Sequence, residues 1–337
     1  MVDEPEFPAD RVFLHLSDIH FRKGHAGDVH DPDNDLRNEL ERDLRTISTT
    51  RVNRVDGIIV SGDIAFGGQN DEFDLARGWL KHIGELIACP ADAIMVTPGN
   101  HDVDRAKVPT DGEIDLMHNE VRAPVTLAGR DEAIAAILRD GIRGPKLLTT
   151  IDTYNEFAKN YNCTVSAMQP FWERDFTLSN NGILRIRGMT STLISGPRDD
   201  EQTYKMLYGA GQRSSLLRMD SVFRVVVGHH PPSWTLEGDD ADKAFSDRAS
   251  IQLFGHKHEQ WFQRVGKSVR LIAGAVHPSR QESHWEPRYS LLAVRLDEQG
   301  RLLVRIYPRK WTREETMFIG DCDSQRRDFR DHVVEPG

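Results

Sequence analysis

Five short blocks spread along the chain put metal-ligand side chains directly after apolar runs: Asp18-Ile19-His20, Gly62-Asp63, Gly99-Asn100-His101-Asp102, Gly228-His229-His230-Pro231 and Gly255-His256-Lys257-His258. Together they offer enough carboxylate, amide and imidazole donors to hold two divalent cations side by side, a device for attacking phosphate esters. A hydroxide able to attack phosphorus near neutral pH requires a cation to lower the pKa of water. The crowded negative charge of the transition state requires positive charge on both sides. Two ions about 3.5–4 Å apart meet both requirements when one ligand bridges them. A carboxylate is the natural bridge, and Asp63 is the candidate. Imidazoles fill most of the other positions, which favours Mn, Fe, Zn, Co or Ni over Mg or Ca.

These residues need elements that hold them at one edge. Val12-Phe13-Leu14-His15-Leu16 is a β-prone run that delivers Asp18 and His20, and Leu36, Leu40, Leu44 and Ile47 then repeat at helical spacing over about 35–48. Gly57-Ile58-Ile59-Val60 delivers Asp63, and Phe73, Leu75, Leu80, Ile83 and Ile87 mark a second helix. Ala93-Ile94-Met95-Val96 delivers Asn100 and His101. Strand, ligand loop and helix alternate, which predicts βα units with the ligands at the carboxyl ends of the strands. Residues 221–227 and 250–254 lead into His229 and His256 in the same way. Beyond them, short β-prone runs at 260–265, 268–273, 289–296 and 301–307 predict a second, largely antiparallel sheet. Helical patterns near 114–121, 131–140 and 147–160 carry no ligand block. This insertion, about 104–180, reads as a cap or wall of the substrate cleft, with plain helical cover of a sheet face as the alternative. Residues 321–337 are polar and aperiodic, and are expected to be a poorly ordered tail or a junction to a larger protein or assembly.

The blocks, in this order, resemble the signature of calcineurin-like metallophosphoesterases: D-x-H, GD, GNH followed by D or E, H, and GHxH. The match runs from Asp18 to His258. It implies a four-layer α/β/β/α sandwich, two mixed sheets flanked by helices, formed by one domain over 10–320. It also implies that Asp18, His20 and His258 hold one divalent transition-metal ion and that Asn100, His229 and His256 hold the other. Asp63 bridges them, and the ions are Mn, Fe or Zn, with Mn and Fe favoured. His101 would stand beside the scissile phosphate, stabilising or protonating the leaving oxygen, with Asp102 orienting it. His229 is preferred to His230 because in relatives the ligand directly follows the strand, with one residue between it and the proline; His230 is left to support a ligand or to line the pocket wall. Asp63-Ile64-Ala65-Phe66-Gly67-Gly68 departs from the common GDxxDxG form, which lowers the resemblance to the protein serine/threonine phosphatase branch. His-Leu-Ser-Asp-Ile-His and Pro-Gly-Asn-His-Asp-Val are similar to the cyclic-nucleotide phosphodiesterases. The activity implied is hydrolysis of a phosphodiester bond, in a nucleotide or cyclic nucleotide, by in-line attack of a hydroxide held on the metals. A DNA or RNA nuclease using the same site is the first alternative. The second is a nucleotide-sensing or scaffold module with little turnover, against which the intact His101-Asp102 pair argues.

Other signals are weaker. Asn100, His230, His277 and Arg280 are candidate substrate contacts, and Arg22, Lys23, His25 and His30 share the loop after the first block. His15, inside a strand, reads as a satisfied buried histidine, and Trp172, Trp234 and Trp285 could stack on a base. A formal net charge of −10 over 337 residues argues against a protein that coats long nucleic acid. Residues 1–120 carry 25 acidic against 12 basic side chains, and 121–337 carry 28 against 31, so cations would cancel part of an excess concentrated near three ligand blocks. No apolar run reaches the roughly 18–20 residues needed to span a bilayer. The acidic start lacks a secretory pattern, and Cys89, Cys163 and Cys322 contain no CxxC pair. A cytoplasmic protein with reduced thiols is expected.

Overall fold

Val12 to Leu16 of β1 (Arg11–Leu16) are buried without alternation, as in a strand covered on both faces. A computed structural model describes residues 7–23, 31, 33–199, 205–217, 219–280 and 285–335. β1 pairs in parallel with β2 (Gly57–Val60), and β2 with β3 (Ile94–Val96). The crossovers are α1 (Asn34–Thr50) and α2 (Asn70–Leu86), each burying one stripe: Leu36, Leu40, Leu44 and Ile47 from α1, and Phe73, Ala76, Leu80 and Ile83 from α2. The chain then passes through α3 (Glu113–Arg122), α4 (Leu127–Arg139), α5 (Arg143–Leu148) and α6 (Asp152–Ala158). A second run follows: β4 (Phe171–Thr177), β5 (Ile183–Met189), α7 (Ala210–Ser214), β6 (Val222–Val227), α8 (Asp239–Arg248), β7 (Ile251–Phe254), β8 (Trp261–Val265) and β9 (Ser268–Ile272). The last strands are β10 (Arg288–Leu296), β11 (Leu302–Thr312), β12 (Met317–Gly320) and β13 (Arg330–Val334).

Two mixed sheets result. The first has the order β12-β11-β10-β1-β2-β3, with β13 also on β11, and the second β4-β5-β6-β7-β9-β8. In the second, β5, β6, β7 and β9 run parallel, with β4 and β8 antiparallel at the edges. The sheets meet through apolar side chains: Phe13 of β1 lies edge-on to Phe176 of β4 at 5.0 Å. Val226, Phe254 and Ile272 pack with Phe245 of α8 on the other face of the second sheet. The architecture is the four-layer α/β/β/α sandwich expected from the sequence. Among the described residues no helix is long and apolar enough to cross a membrane.

Three local expectations need correction. The four β-prone runs after residue 259 do not form one sheet: β8 and β9 complete the second sheet, whereas β10 returns to lie antiparallel beside β1. The reason is burial, since Tyr289 to Val294 of β10 are covered throughout and need the interior of the first sheet. Nor is the C-terminal segment a loose tail; β13 pairs with β11, and Phe329 and Val334 join the core. Finally, the insertion ends in a strand: β4 is paired with β5. The helices before it are built into the body. Phe157 of α6 packs at 5.0 Å on Phe73 of α2, and α3 and α4 are tied to later loops by Arg122, donating to the Ile194 carbonyl at 2.9 Å, and Arg130, donating to that of Leu236 at 3.3 Å.

Candidate metal centre

All five ligand blocks leave the carboxyl ends of parallel strands: β1, β2 and β3 from one sheet, β6 and β7 from the other. The first two loops stay zipped beyond their strands, the amides of Asp18, Ile19, His20 and Phe21 donating to the carbonyls of Gly62, Asp63, Asp63 and Ile64 at 3.1, 2.8, 3.0 and 2.9 Å. β3 ends at the Val96 carbonyl, which accepts from Tyr154 Oη at 2.9 Å and Trp172 Nε1 at 2.8 Å, so the insertion fixes the strand that delivers Asn100. Asp18, His20, Asp63, His256 and His258 all adopt positive φ, between 52° and 71°. Left-handed backbone at a residue with a side chain costs about 1–3 kcal/mol and persists where surrounding structure imposes it, commonly at functional sites. The glycines of the blocks make room: a Cβ on Gly62 would stand 2.6 Å from His229 Nδ1, and one on Gly255 2.0 Å from Ser17 Oγ.

Each buried carboxylate has one oxygen tied down and one turned to the cluster. Asp18 Oδ2 accepts from the His256 amide at 3.2 Å, while Oδ1, without a hydrogen-bond partner, lies 3.3 Å from His258 Nε2, 3.9 Å from His229 Nε2 and 4.0 Å from His20 Nε2. Asp63 Oδ1 accepts from the His101 amide at 2.9 Å; Oδ2 lies 3.1 Å from His229 Nε2 and 3.9 Å from His20 Nε2. Asp63 therefore stands between an imidazole of the β1 loop and one of the β6 loop. His229 Nδ1 lies 2.8 Å from the Ser61 carbonyl, which can only accept, so Nδ1 carries a proton and Nε2 is the atom left for a metal to claim. Although close to Asp63, that Nε2 is off the line of a hydrogen bond, and His256 Nε2 is likewise buried and unpartnered. An orphaned buried polar atom costs about 1–3 kcal/mol. Here several converge, with ligand atoms within 4.8 Å of one another in the sets Asp18, His20, His258; Asp18, Asp63, His229; and His229, His230, His256. This nitrogen and oxygen donor set fits divalent transition-metal ions.

The electrostatics suit cations too. Burial works against ionising Asp18 and Asp63, but His229 opposes it at both and is joined by His258 at Asp18 and by His101 and His20 at Asp63, so both carboxyls fall below the ordinary range. Burial pushes His20 and His256 down to about 3, leaving neutral rings with free lone pairs. His229 differs: burial would lower it, yet Asp63 and Asp18 together raise it to about 9.

His230 is close to the cluster, but both its nitrogens are engaged, Nδ1 with Ser191 Oγ at 2.8 Å and Nε2 with Asn100 Oδ1 at 3.1 Å. It brackets Asn100 from a buried position, so a substrate contact is not where the fold puts it. Nothing in the sequence pointed to Ser191, because it follows β5 with no ligand block beside it.

His101 extends from the β3 loop with Nδ1 2.8 Å from the Phe66 carbonyl, which leaves Nε2 for other work. Asp102 does not orient this ring. Its Oδ1 accepts from the amides of Ile64 and Ala65 at 2.9 and 2.8 Å and its Oδ2 from Gly99 at 2.8 Å, so it braces the loop carrying Asp63. Burial and the Asp63 charge push it up to about 7 against the pull of those amides. His277 is also interior: its Nδ1 meets the Ile19 carbonyl at 2.6 Å beneath the Asp18–His20 turn. Arg280 lies outward, 3.5 Å from Asp33 and over Trp285. Trp234 packs edge-on to His256 at 4.3 Å, and His15 is a buried partner of Ser61 at 2.9 Å. His25 and His30 lie outside the described residues.

A family model for calcineurin-like phosphoesterases matches residues 11–260. Among solved structures, the chain is similar to a putative 5'-nucleotidase from Staphylococcus aureus (15% identity, TM-score 0.46, covering 86% of this chain and 52% of that one), so it spans about half the nucleotidase's length. It is also similar to Vps29 from Entamoeba histolytica (10% identity, TM-score 0.37, 96% and 98%) and to the sulfate thiohydrolase SoxB of Thermus thermophilus (11% identity, TM-score 0.44, 98% and 57%). No curated protein sequence matches it. With the family model spanning most of the chain and its donor side chains gathered at one edge of two mixed sheets, the protein belongs to the calcineurin-like phosphoesterase family.

Proposed function

We propose that the protein hydrolyses a phosphodiester bond in a nucleotide or short nucleic acid at a two-metal centre. The observation that carries this reading is the position of Asp63 Oδ2, between His229 Nε2 at 3.1 Å and His20 Nε2 at 3.9 Å, where one carboxylate would be shared by two neighbouring cations. Asp18, His20 and His258 would hold one ion, Asn100, His229 and His256 the other, with Mn or Fe favoured. Bound divalent ions lower the pKa of water and counter the charge of the phosphoryl transition state. The chain's residues do the remainder. The Phe66 carbonyl accepts from His101 Nδ1 and turns Nε2 toward the place of the leaving oxygen, to which the imidazolium form of the ring would deliver its Nε2 proton. Asp102 and the His230–Ser191 pair hold Asp63 and Asn100 in place. Trp234 on the His256 side provides a flat apolar surface suited to a base. The ties from α3 and α4 to the loops at 194 and 236 support the insertion as a wall of the cleft. Three free thiols, two of them buried, support a reducing, cytoplasmic setting.

The test is elemental analysis of the purified protein, followed by turnover of bis-p-nitrophenyl phosphate and a panel of cyclic nucleotides, dinucleotides and single-stranded oligonucleotides. Two equivalents of metal with turnover of a diester are expected. Metal-loaded protein that cleaves no diester across a wide pH range refutes the reading and favours a sensing or scaffold role.

A further inference from the structure

Phe66 stands where the GDxxDxG form carries its second acid. Its ring is 40% exposed, beside the His101 ring at 5.2 Å and tilted 34° to it, and 6.1 Å from that of His20. Just beyond it the Gly67 amide donates to Glu72 at the start of α2 at 2.9 Å, which anchors the loop. On the ring lies Arg22, its guanidinium carbon 3.7 Å from the centroid. The neighbouring Lys23 is paired with Asp71 at 3.0 Å, but among the described residues Arg22 makes no ion pair, so its charge is held in place by an aromatic face and left available. A planar guanidinium in that state is built to meet phosphate oxygens through its fork of N–H donors.

We infer that Phe66 and Arg22 form a subsite for the leaving side of the substrate, accepting a leaving group that carries a phosphate beyond the scissile one. This rests on the role proposed for His101, whose Nε2 faces the leaving oxygen and whose ring abuts Phe66. The substrate class that follows is a dinucleotide or short oligonucleotide bearing further phosphates. In a 3',5'-cyclic nucleotide the leaving oxygen stays on the same nucleoside, which offers Arg22 no second phosphate.

The test compares kcat/KM for thymidylyl-thymidine with that for the same dinucleotide phosphorylated at both ends, so that either polarity of cleavage presents a phosphate to the subsite. Wild-type protein should prefer the end-phosphorylated form by about 10-fold or more, the scale of a hydrogen bond to a charged group. Arg22→Ala should bring that ratio close to one, Arg22→Lys should keep part of it, and Phe66→Leu should lower it by freeing the guanidinium. A wild-type ratio near one, or a ratio that Arg22→Ala leaves intact, overturns the subsite while the phosphoesterase reading stands. Absence of turnover on both dinucleotides and on bis-p-nitrophenyl phosphate overturns both.

Discussion

Gly99→Ala tests the placement of Asp63 with the smallest change available. Gly99 has φ −104° and ψ 179°, an extended conformation that alanine adopts freely, so the substitution adds no backbone strain. What it adds is a methyl group 2.1 Å from Asp63 Oδ1, 2.4 Å from its amide nitrogen and 2.8 Å from Cγ. Ordinary contact begins at 3.4 Å, so the carboxylate or its loop must retreat by more than an ångström. Neither can retreat cheaply, since Asp63 Oδ1 holds the His101 amide and Asp102 braces the amides of Ile64 and Ala65. Overpacking of this kind costs about 1–3 kcal/mol of stability, and an ångström of misplacement at a reacting centre costs about 10²-fold in rate. We therefore expect Gly99→Ala to fold with a lowered Tm, to bind less than two equivalents of Mn, and to lose about 10²-fold in kcat/KM on bis-p-nitrophenyl phosphate. Gly78→Ala is the control: a Cβ there meets nothing within 4 Å, and alanine within α2 should stabilise by about 0.5–1 kcal/mol with unchanged turnover. Full metal content and wild-type rate in Gly99→Ala would show that Asp63 is not the shared ligand.

Asp63→Ala should abolish the binding of both metals, measured by elemental analysis, because it deletes the donor proposed to be shared; retention of either ion at wild-type affinity contradicts the shared role. His101→Ala should keep both metals and lose about 10²–10⁴ in kcat, and an unchanged rate removes it from the reaction. Ser191→Ala and His230→Ala should each weaken one of two calorimetrically resolved Mn sites by about 10- to 100-fold and spare the other, since both act through Asn100; equal loss at both sites rules that out. The pH dependence of stability has two limbs. Buried His15 and His118 are pushed down from 6.5 to about 3, so the stability they contribute is present above 6.5 and lost as pH falls toward 3. His229, raised from 6.5 to about 9, contributes in chelator-treated protein below 6.5 and ceases to as pH rises through 9. Tm of the chelated protein should peak near neutrality, whereas metal-loaded protein should show the acid limb alone; a flat alkaline limb after chelation contradicts the placing of His229 between two carboxylates.

The ligand blocks were legible because the information they need is local. A strand of Val, Ile and Leu, a glycine and a donor residue together specify where a loop begins and what it carries, so the sequence alone placed Asp18, Asp63, Asn100, His229 and His256 on one edge. Sheet membership is not local. That β10 belongs beside β1 depends on the pairing of Phe13 with Leu292 and of Leu14 with Leu291, which no stretch of either strand announces. β4 and β5 were hidden for a different reason. Arg185 and Arg187 of β5 look solvated in sequence, yet Arg187 is buried and its charge is met by Glu173 on β4 at 2.8 Å and by Ser215 Oγ at 2.6 Å. The C-terminal segment was obscured in the same way, because its Asp331 is the bidentate partner of buried Arg305, and that pairing makes a polar segment part of the sheet.

The roles around the metal-binding edge divide along the same line. A residue type predicts that histidines or acids near a ligand loop matter, but only position decides whether they face the substrate or the scaffold. His230, His277 and Asp102 each look like catalytic equipment in sequence, and each has at least one polar atom turned onto another ligand residue or the backbone of a ligand loop. That arrangement is what five left-handed donor residues require. Loops held in costly conformations keep them only if fixed hydrogen bonds from behind outweigh the tendency to relax. Buried histidines whose ionisation burial disfavours, such as His230 and His277, supply such bonds near neutral pH without adding charge at the donor cluster. The imidazole surplus of this chain thus serves two ends: five rings, those of His20, His101, His229, His256 and His258, lie at the donor cluster, and others hold the first set in place.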